Sequence, residues 1–340
     1  MNGPAKLIEF NDDQRAQIID AAREYLTMTD EAELNAFVEN IEQTGQISAF
    51  GVGSLLDYSH LQNANGTFKD DLQTEFPGMN ENNVFSTYAG SAQGIEATFC
   101  CFDIFYRGTE DHPGVTIGNE KVDGAETEGG LLITQLDHLD SDVAANFVER
   151  YLQRFNEREC PPNMPIYKFE MKDIELRDGT MTKGLVCVAD DEGPLYTRNV
   201  ENRYAQGNPG SAYYMPDNEI GENRAAAVIA VAAGSPTDPR SGAVKPAGKV
   251  TDMDYLRNTI KGYEERDIHV PPAMIALYEK AGQFRERLEP SDLEHLESFE
   301  HKGMLSNKSQ FRELFVSVAR THNAALNDHG ADPTPTSEVA

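Results

Sequence analysis

The chain turns on Ile47–Leu61, ISAFGVGSLLDYSHL. A short run of strand-forming residues, Ile47 to Phe50, stops at Gly51-Val52-Gly53-Ser54-Leu55. Strands rich in β-branched and aromatic residues that end on glycines read as a first strand entering a tight turn. The turn is not a dinucleotide fingerprint, because Leu56 stands where the third glycine would be. It lacks the Gly-Lys-Ser/Thr of a nucleotide-binding loop. Ser54 is not in a Gly-x-Ser-x-Gly elbow, which argues against a nucleophile. Two readings stay open: a plain turn, or a backbone cradle whose N–H groups receive a carboxylate or carbonyl oxygen.

Upstream, residues 11–43 read as two amphipathic helices. Ile18, Ile19, Ala22 and Tyr25 recur at helical spacing, then Leu34, Phe37, Val38 and Ile41. Asp30 is the expected N-cap between them and Gly45 the stop. Downstream, strands are expected at Ala97–Tyr106, Leu131–Leu136, Ile166–Leu176 and Met181–Ala189. The last two flank Arg177-Asp178-Gly179-Thr180, a hairpin signal. The segment 141–159, SDVAANFVERYLQRFNERE, predicts a helix capped by Ser141 or Asp142, with Val143, Phe147, Tyr151, Leu152 and Phe155 on one stripe. Residues 193–220 read as an irregular loop. Helices are expected at 221–233, 252–265, 272–288 and 306–327, with a Gly/Pro-rich linker at 234–250. The tail from 329 reads as disordered.

This order does not alternate as a doubly wound sheet would. It predicts a mixed α+β fold: a small curved mixed sheet or barrel with surrounding helices, plus an N-terminal helical pair. The expected divisions are residues 1–45, a helical extension; 46–290, the catalytic domain; 291–328, a C-terminal helical extension; and 329–340, a tail.

The 340 residues carry 57 acidic against 29 basic side chains, a net charge of -28. That excess argues against nucleic-acid and membrane-surface partners, both anionic. It fits a solubility surface or adaptation to high salt. No apolar run approaches the roughly 20 residues of a membrane span. The first residues lack a basic and an apolar signal region, so a cytoplasmic setting is expected. The four cysteines, Cys100, Cys101, Cys160 and Cys187, show no zinc spacing and read as small core residues. Neither a disulfide framework nor a metal site is expected.

Three further stretches carry candidate chemistry. Glu159 continues the apolar stripe of its helix, four residues after Phe155, while Glu157 and Arg158 point away from it. A carboxylate on the core side of a helix C-terminus is desolvated and faces the negative end of the dipole, which suits a general base. The alternative is a solvated Glu on a frayed end. Arg107, in RGTEDHPGV, can meet an anionic group, with His112 as a possible acid–base partner. Tyr255 opens a capped helix at TDMDYLRNT, as packing or ligand contact.

Taken in order, these stretches resemble the ChaC-type, glutathione-specific γ-glutamylcyclotransferases. The family's Phe-Gly-Tyr-Gly-Ser-Leu loop is matched by Phe50-Gly51-Val52-Gly53-Ser54-Leu55. Its Gly-Ser-x-Asp-His-x-Gly segment is matched by Gly108-Thr109-Glu110-Asp111-His112-Pro113-Gly114. Its helix ending in Tyr-Leu-x-x-Arg-Glu is matched by Tyr151-Leu152 and Arg158-Glu159, with extra residues between. Its Asn-x-Glu-Tyr-Leu helix start is matched by Asp252-Met253-Asp254-Tyr255-Leu256. The likeness spans roughly Ile47 to Leu288. Val52 replaces the family's Tyr, and the glycine pair after the Arg-Glu is absent.

The resemblance implies a γ-glutamylcyclotransferase-like fold and a lyase that needs no cofactor. The γ-glutamyl group of glutathione would cyclise to 5-oxoproline and release Cys-Gly. It implies Glu159 as the catalytic carboxylate, with Glu157 as a second candidate. Gly51, Val52, Gly53, Ser54, Leu55, Tyr167 and Tyr255 would bind the small-molecule substrate, joined by Arg107 from the reading of its own loop. A non-catalytic binding module on the same fold, or another γ-glutamyl amine or peptide as substrate, are the alternatives.

Overall fold

The structure of the protein is a computed structural model. It describes residues 7–287 except 57, 59–60, 64–65, 81–83, 105, 109, 111–112, 161–165, 212, 233 and 235–250. The helix expected at 306–327, the tail, and nearly all of the linker at 234–250 lie outside the described residues, as does His112.

The fold is α+β, built on a closed five-stranded barrel. Helix α1, Asp12–Leu26, opens with a capping box in which the Asn11 side chain accepts the Gln14 N–H. Helix α2, Glu31–Thr44, is capped by Asp30, whose carboxylate accepts the N–H groups of Ala32 and Glu33 at 2.8 and 2.9 Å. Because that cap is exposed, Asp30→Ala should lower stability by about 1 kcal/mol without touching activity, read as a shifted denaturant midpoint.

Strand β1, Gln46–Gly51, follows. The two-residue strands β2, Gln62–Asn63, and β3, Gly66–Thr67, pair with each other and lead into α3, Phe68–Glu75. Strands β4, Phe85–Asp103, and β5, Gly114–Gln135, form one long antiparallel pair. Helix α4, Ser141–Glu159, precedes the hairpin of β6, Tyr167–Leu176, and β7, Met181–Ala189. Helices α5, Glu219–Val231, α6, Asp252–Glu265, and α7, Pro272–Glu286, complete the described order. Around the barrel the strands run β1-β5-β4-β6-β7, and a parallel pairing of β1 with β7 closes it.

Alternate strand residues serve two cores, as the two-residue period of a strand requires. Phe50, Leu131, Ile133, Val186 and Val188 join α5, α6 and α7. Ile47, Ala49, Leu132, Leu185 and Cys187 join α1, α2 and α4.

Several expectations need correction. Val143 is exposed rather than on the buried stripe of α4, where Ala144 and Ala145 are buried instead. The N-cap of α4 is Asp140, not Ser141 or Asp142. The strands expected at Ala97–Tyr106 and Leu131–Leu136 are the ends of much longer ones. Phe68 of α3 packs edge-on against Tyr151 of α4 at 5.1 Å. Among the described residues, no helix is long and apolar enough to cross a membrane.

Candidate active site

The site is built where β1 ends. Gly51 pairs with Gly130 of β5, and the chain then doubles back through a 3-10 turn at Gly53–Leu55. A Cβ on Gly51 would stand 2.4 Å from the Leu55 carbonyl oxygen, so only glycine allows this return. Gly53 has φ of +61°, a conformation L side chains rarely adopt. The turn is pinned from both sides. Val52 and Leu56 enter the core shared with α6, while Leu55 enters the core shared with α4.

Its N–H groups divide into spent and unspent. Leu55 N–H donates to Val52 O at 3.1 Å and Leu56 N–H to Gly53 O at 3.3 Å. The Gly53 N–H lies near the Tyr263 hydroxyl of α6, which donates to the Glu128 carbonyl at 3.5 Å. The N–H groups of Val52 and Ser54 have no acceptor among the described residues. Two backbone donors left open at a largely buried turn can cradle an oxyanion or a carboxylate.

Two tyrosines meet beside this turn at one residue of β5. The Tyr167 hydroxyl donates to the Ile117 carbonyl. The Thr116 hydroxyl donates to the Tyr255 oxygen at 3.2 Å, and the Ile117 N–H lies near that oxygen. Gly53 rests on the same place: a Cβ there would lie 2.9 Å from Ile117 Cγ2 and 3.1 Å from the Tyr255 oxygen. Burial raises the pKa of both phenols, so each is a neutral donor at pH 7. The Arg107 guanidinium stacks over the Tyr255 ring, 4.3 Å from its centroid. The same guanidinium acts electrostatically on the Asp252 carboxyl and the Tyr255 phenol.

Glu159 is the last residue of α4 and is 7% exposed, as its place on the stripe predicts. Arg158 does not point away as expected: its guanidinium turns back onto the Glu159 carboxylate. The carboxylate is therefore buried but charge-compensated. Glu157 is exposed and accepts from Gln153 at 3.0 Å. The chain beyond Glu159 leads toward Tyr167, and the Cys160 thiol lies 3.4 Å from the Tyr167 carbonyl. Burial pushes the Cys160 thiol up to about 12, which keeps it protonated.

The structure thus brings together Gly53, Tyr255, Tyr167 and Arg107. Among the described residues, no hydrogen bond or ion pair joins Glu159 to the 51–55 turn. Sequence reasoning missed Ile117 and Tyr263. Tyr263 falls eight residues after Tyr255, two helical turns on along the same face of α6, a spacing that could have flagged it. No three His, Cys, Asp or Glu side chains among the described residues gather as a metal would require. A cavity of about 780 Å³ lies elsewhere, lined by Glu126, Glu128, Glu175, Glu264 and Asp267 with Arg177 and His269. None of the candidate residues lines it.

No protein-family model matches the chain, and no curated protein matches it. Among solved structures it is similar to the gamma-glutamyl cyclotransferase specific to glutathione from yeast. That likeness is 15% identity over 71% of this chain and 99% of that one, with a TM-score of 0.44. It is also similar to a gamma-glutamyl cyclotransferase, at 12% identity over 76% of this chain and 99% of that one, TM-score 0.31. A protein from Homo sapiens stands at 12% identity over 76% and 99%, TM-score 0.32. At this level the likenesses carry no argument about residues or substrate.

Proposed function

We propose that the chain is a γ-glutamylcyclotransferase acting on glutathione or a related γ-glutamyl peptide. The observation that carries the reading is the turn at Gly51–Leu55, with the Val52 and Ser54 N–H groups lacking an acceptor among the described residues, beside the Tyr255 hydroxyl and the Arg107 guanidinium stacked on its ring.

In this reading the substrate folds so that its α-amine faces its own γ-carbonyl carbon. Glu159 takes a proton from the α-ammonium. The freed amine attacks the carbonyl, and the new C–N bond closes a five-membered ring. The turn's N–H groups and the Tyr255 hydroxyl hold the oxyanion of the tetrahedral intermediate. As the old amide C–N bond breaks, Glu159 returns the proton to the leaving nitrogen, and the ring nitrogen sheds its second proton, which ends on the released amine as its ammonium. The products are 5-oxoproline and Cys-Gly, and no water is consumed. Arg107 suits the α-carboxylate.

Incubation with glutathione should release 5-oxoproline and Cys-Gly in equal amounts. Failure to form 5-oxoproline from any member of a γ-glutamyl panel would sink the reading. Tyr255→Phe keeps the ring under Arg107 but removes the hydroxyl. Turnover should fall by about 10²-fold, the typical effect of deleting one oxyanion donor. Unchanged kcat/KM would take Tyr255 out of the site.

The Arg158–Glu159 ion pair favours a second reading, a non-catalytic module that binds a γ-glutamyl ligand. A carboxylate held by a guanidinium is a weaker base than a bare one. Glutathione would then raise the melting temperature without any product forming.

A further inference from the structure

Behind Tyr255 lies a carboxyl group that the cyclisation above does not use. Asp252, the first residue of α6, is fully buried. Its Oδ2 accepts the Val115 N–H at 2.7 Å, and its Oδ1 has no hydrogen-bond partner among the described residues. Val115 lies at the start of β5. The next two residues are Thr116, whose hydroxyl donates to the Tyr255 oxygen, and Ile117, whose carbonyl accepts the Tyr167 hydroxyl. One hydrogen bond from α6 therefore sets the height of β5 where the two tyrosines and Gly53 meet.

The charged groups around Asp252 come from three elements. Asp103, buried at the end of β4, opposes its ionisation, and Arg107 from the following loop favours it. On α6 itself, Asp254 is already held by Arg257 and by the Thr251 hydroxyl. Tyr255 is a neutral phenol.

We propose that Asp252 is a positioning residue of the candidate site, clamping β5 to α6 through the Val115 N–H in its neutral, protonated form. Its role in turnover rests on the cyclotransferase reading; its protonation state and its clamp do not. An ionised carboxylate with one bare oxygen, fully buried beside a second carboxylate, is far costlier than a neutral acid there. Burial, with Asp103 adding to it, accordingly holds the Asp252 carboxyl well above the usual carboxylate range. A group raised in this way contributes stability that is complete below its unfolded pKa. That contribution is lost as pH rises through the folded value.

The test compares the full chain with Asp252→Asn and Asp252→Ala. Asparagine keeps an acceptor for the Val115 N–H and cannot ionise. Alanine removes the acceptor. We expect Asp252→Asn to keep KM for glutathione within about twofold and to flatten the fall of Tm with rising pH. It should also keep the Val115 amide protected from hydrogen exchange. Asp252→Ala should lose that protection and raise KM by about tenfold in the folded protein. An asparagine variant as impaired as alanine would overturn the neutral clamp, because the charge would then be what matters. So would a Tm–pH profile of Asp252→Asn parallel to wild type. An alanine variant with unchanged KM would leave Asp252 structural only and overturn the positioning role. If wild type makes no 5-oxoproline, the cyclotransferase reading fails, while Tm and amide exchange still judge the clamp.

Discussion

Glu159→Gln should lower 5-oxoproline formation by about 10²- to 10⁴-fold, the usual contribution of a positioned general acid–base group. The residue is 7% exposed, and glutamine matches it in volume, so the core around the end of α4 should hold. Far-UV circular dichroism and Tm should stay near wild type. What is lost is the ability to take a proton from the α-ammonium. Glu157→Gln, at an exposed position, should change turnover less than about twofold. Full turnover by Glu159→Gln would remove the assignment of the base. Arg158→Met separates the two readings further. If the Arg158 pairing keeps Glu159 from acting as a base, freeing the carboxylate should raise its basicity and shift the pH profile of kcat to higher pH. If the protein is a binding module only, there is no kcat to shift.

Gly51→Ala should remove both stability and ligand binding. The added Cβ would meet the Leu55 Cβ at 2.0 Å and the Leu55 carbonyl oxygen at 2.4 Å. Neither is the end of a flexible side chain, so the backbone of the turn must move. Overpacking of this kind costs about 1–3 kcal/mol. The displacement also carries the Val52 and Ser54 N–H groups out of line, so KM should rise at least about tenfold in the folded fraction. Denaturant midpoints and KM for glutathione check both parts. A variant as stable and as active as wild type would mean that the tight return of the turn is not what aims these donors.

Some of this was legible in the sequence. The caps at Asp30 and Gly45, the stripe of α4 and the Asp-Gly hairpin are local signals, and each acts through neighbouring residues. The full length of β4 and β5 was not legible. Gly90, Gly94, Gly118 and Gly124 break their alternation, and two register shifts move residues between faces. The turn at Gly51–Leu55 was readable as a strand end, but not the fate of its N–H groups. Tyr263 comes to the Gly53 N–H from α6, more than 200 residues away in sequence. Arg158 defeated the helical-wheel argument because a long, flexible side chain at the last turn can fold back on its neighbour. Asp252 looked like one more acid at a helix start. Its burial and its bare oxygen exist only once β5 is packed against it.

The central claim is that Glu159 and the 52–54 turn face one substrate. A crystal structure of Glu159→Gln with glutathione bound tests it most directly. The account predicts an oxygen of the γ-glutamyl group within about 3 Å of the Val52 and Ser54 N–H groups, with the substituted side-chain amide at position 159 within hydrogen-bond reach of the α-amine. Glutathione seated instead in the acidic cavity around Glu128 and Glu264, or at the turn with the side chain of position 159 beyond reach of the amine, would contradict it.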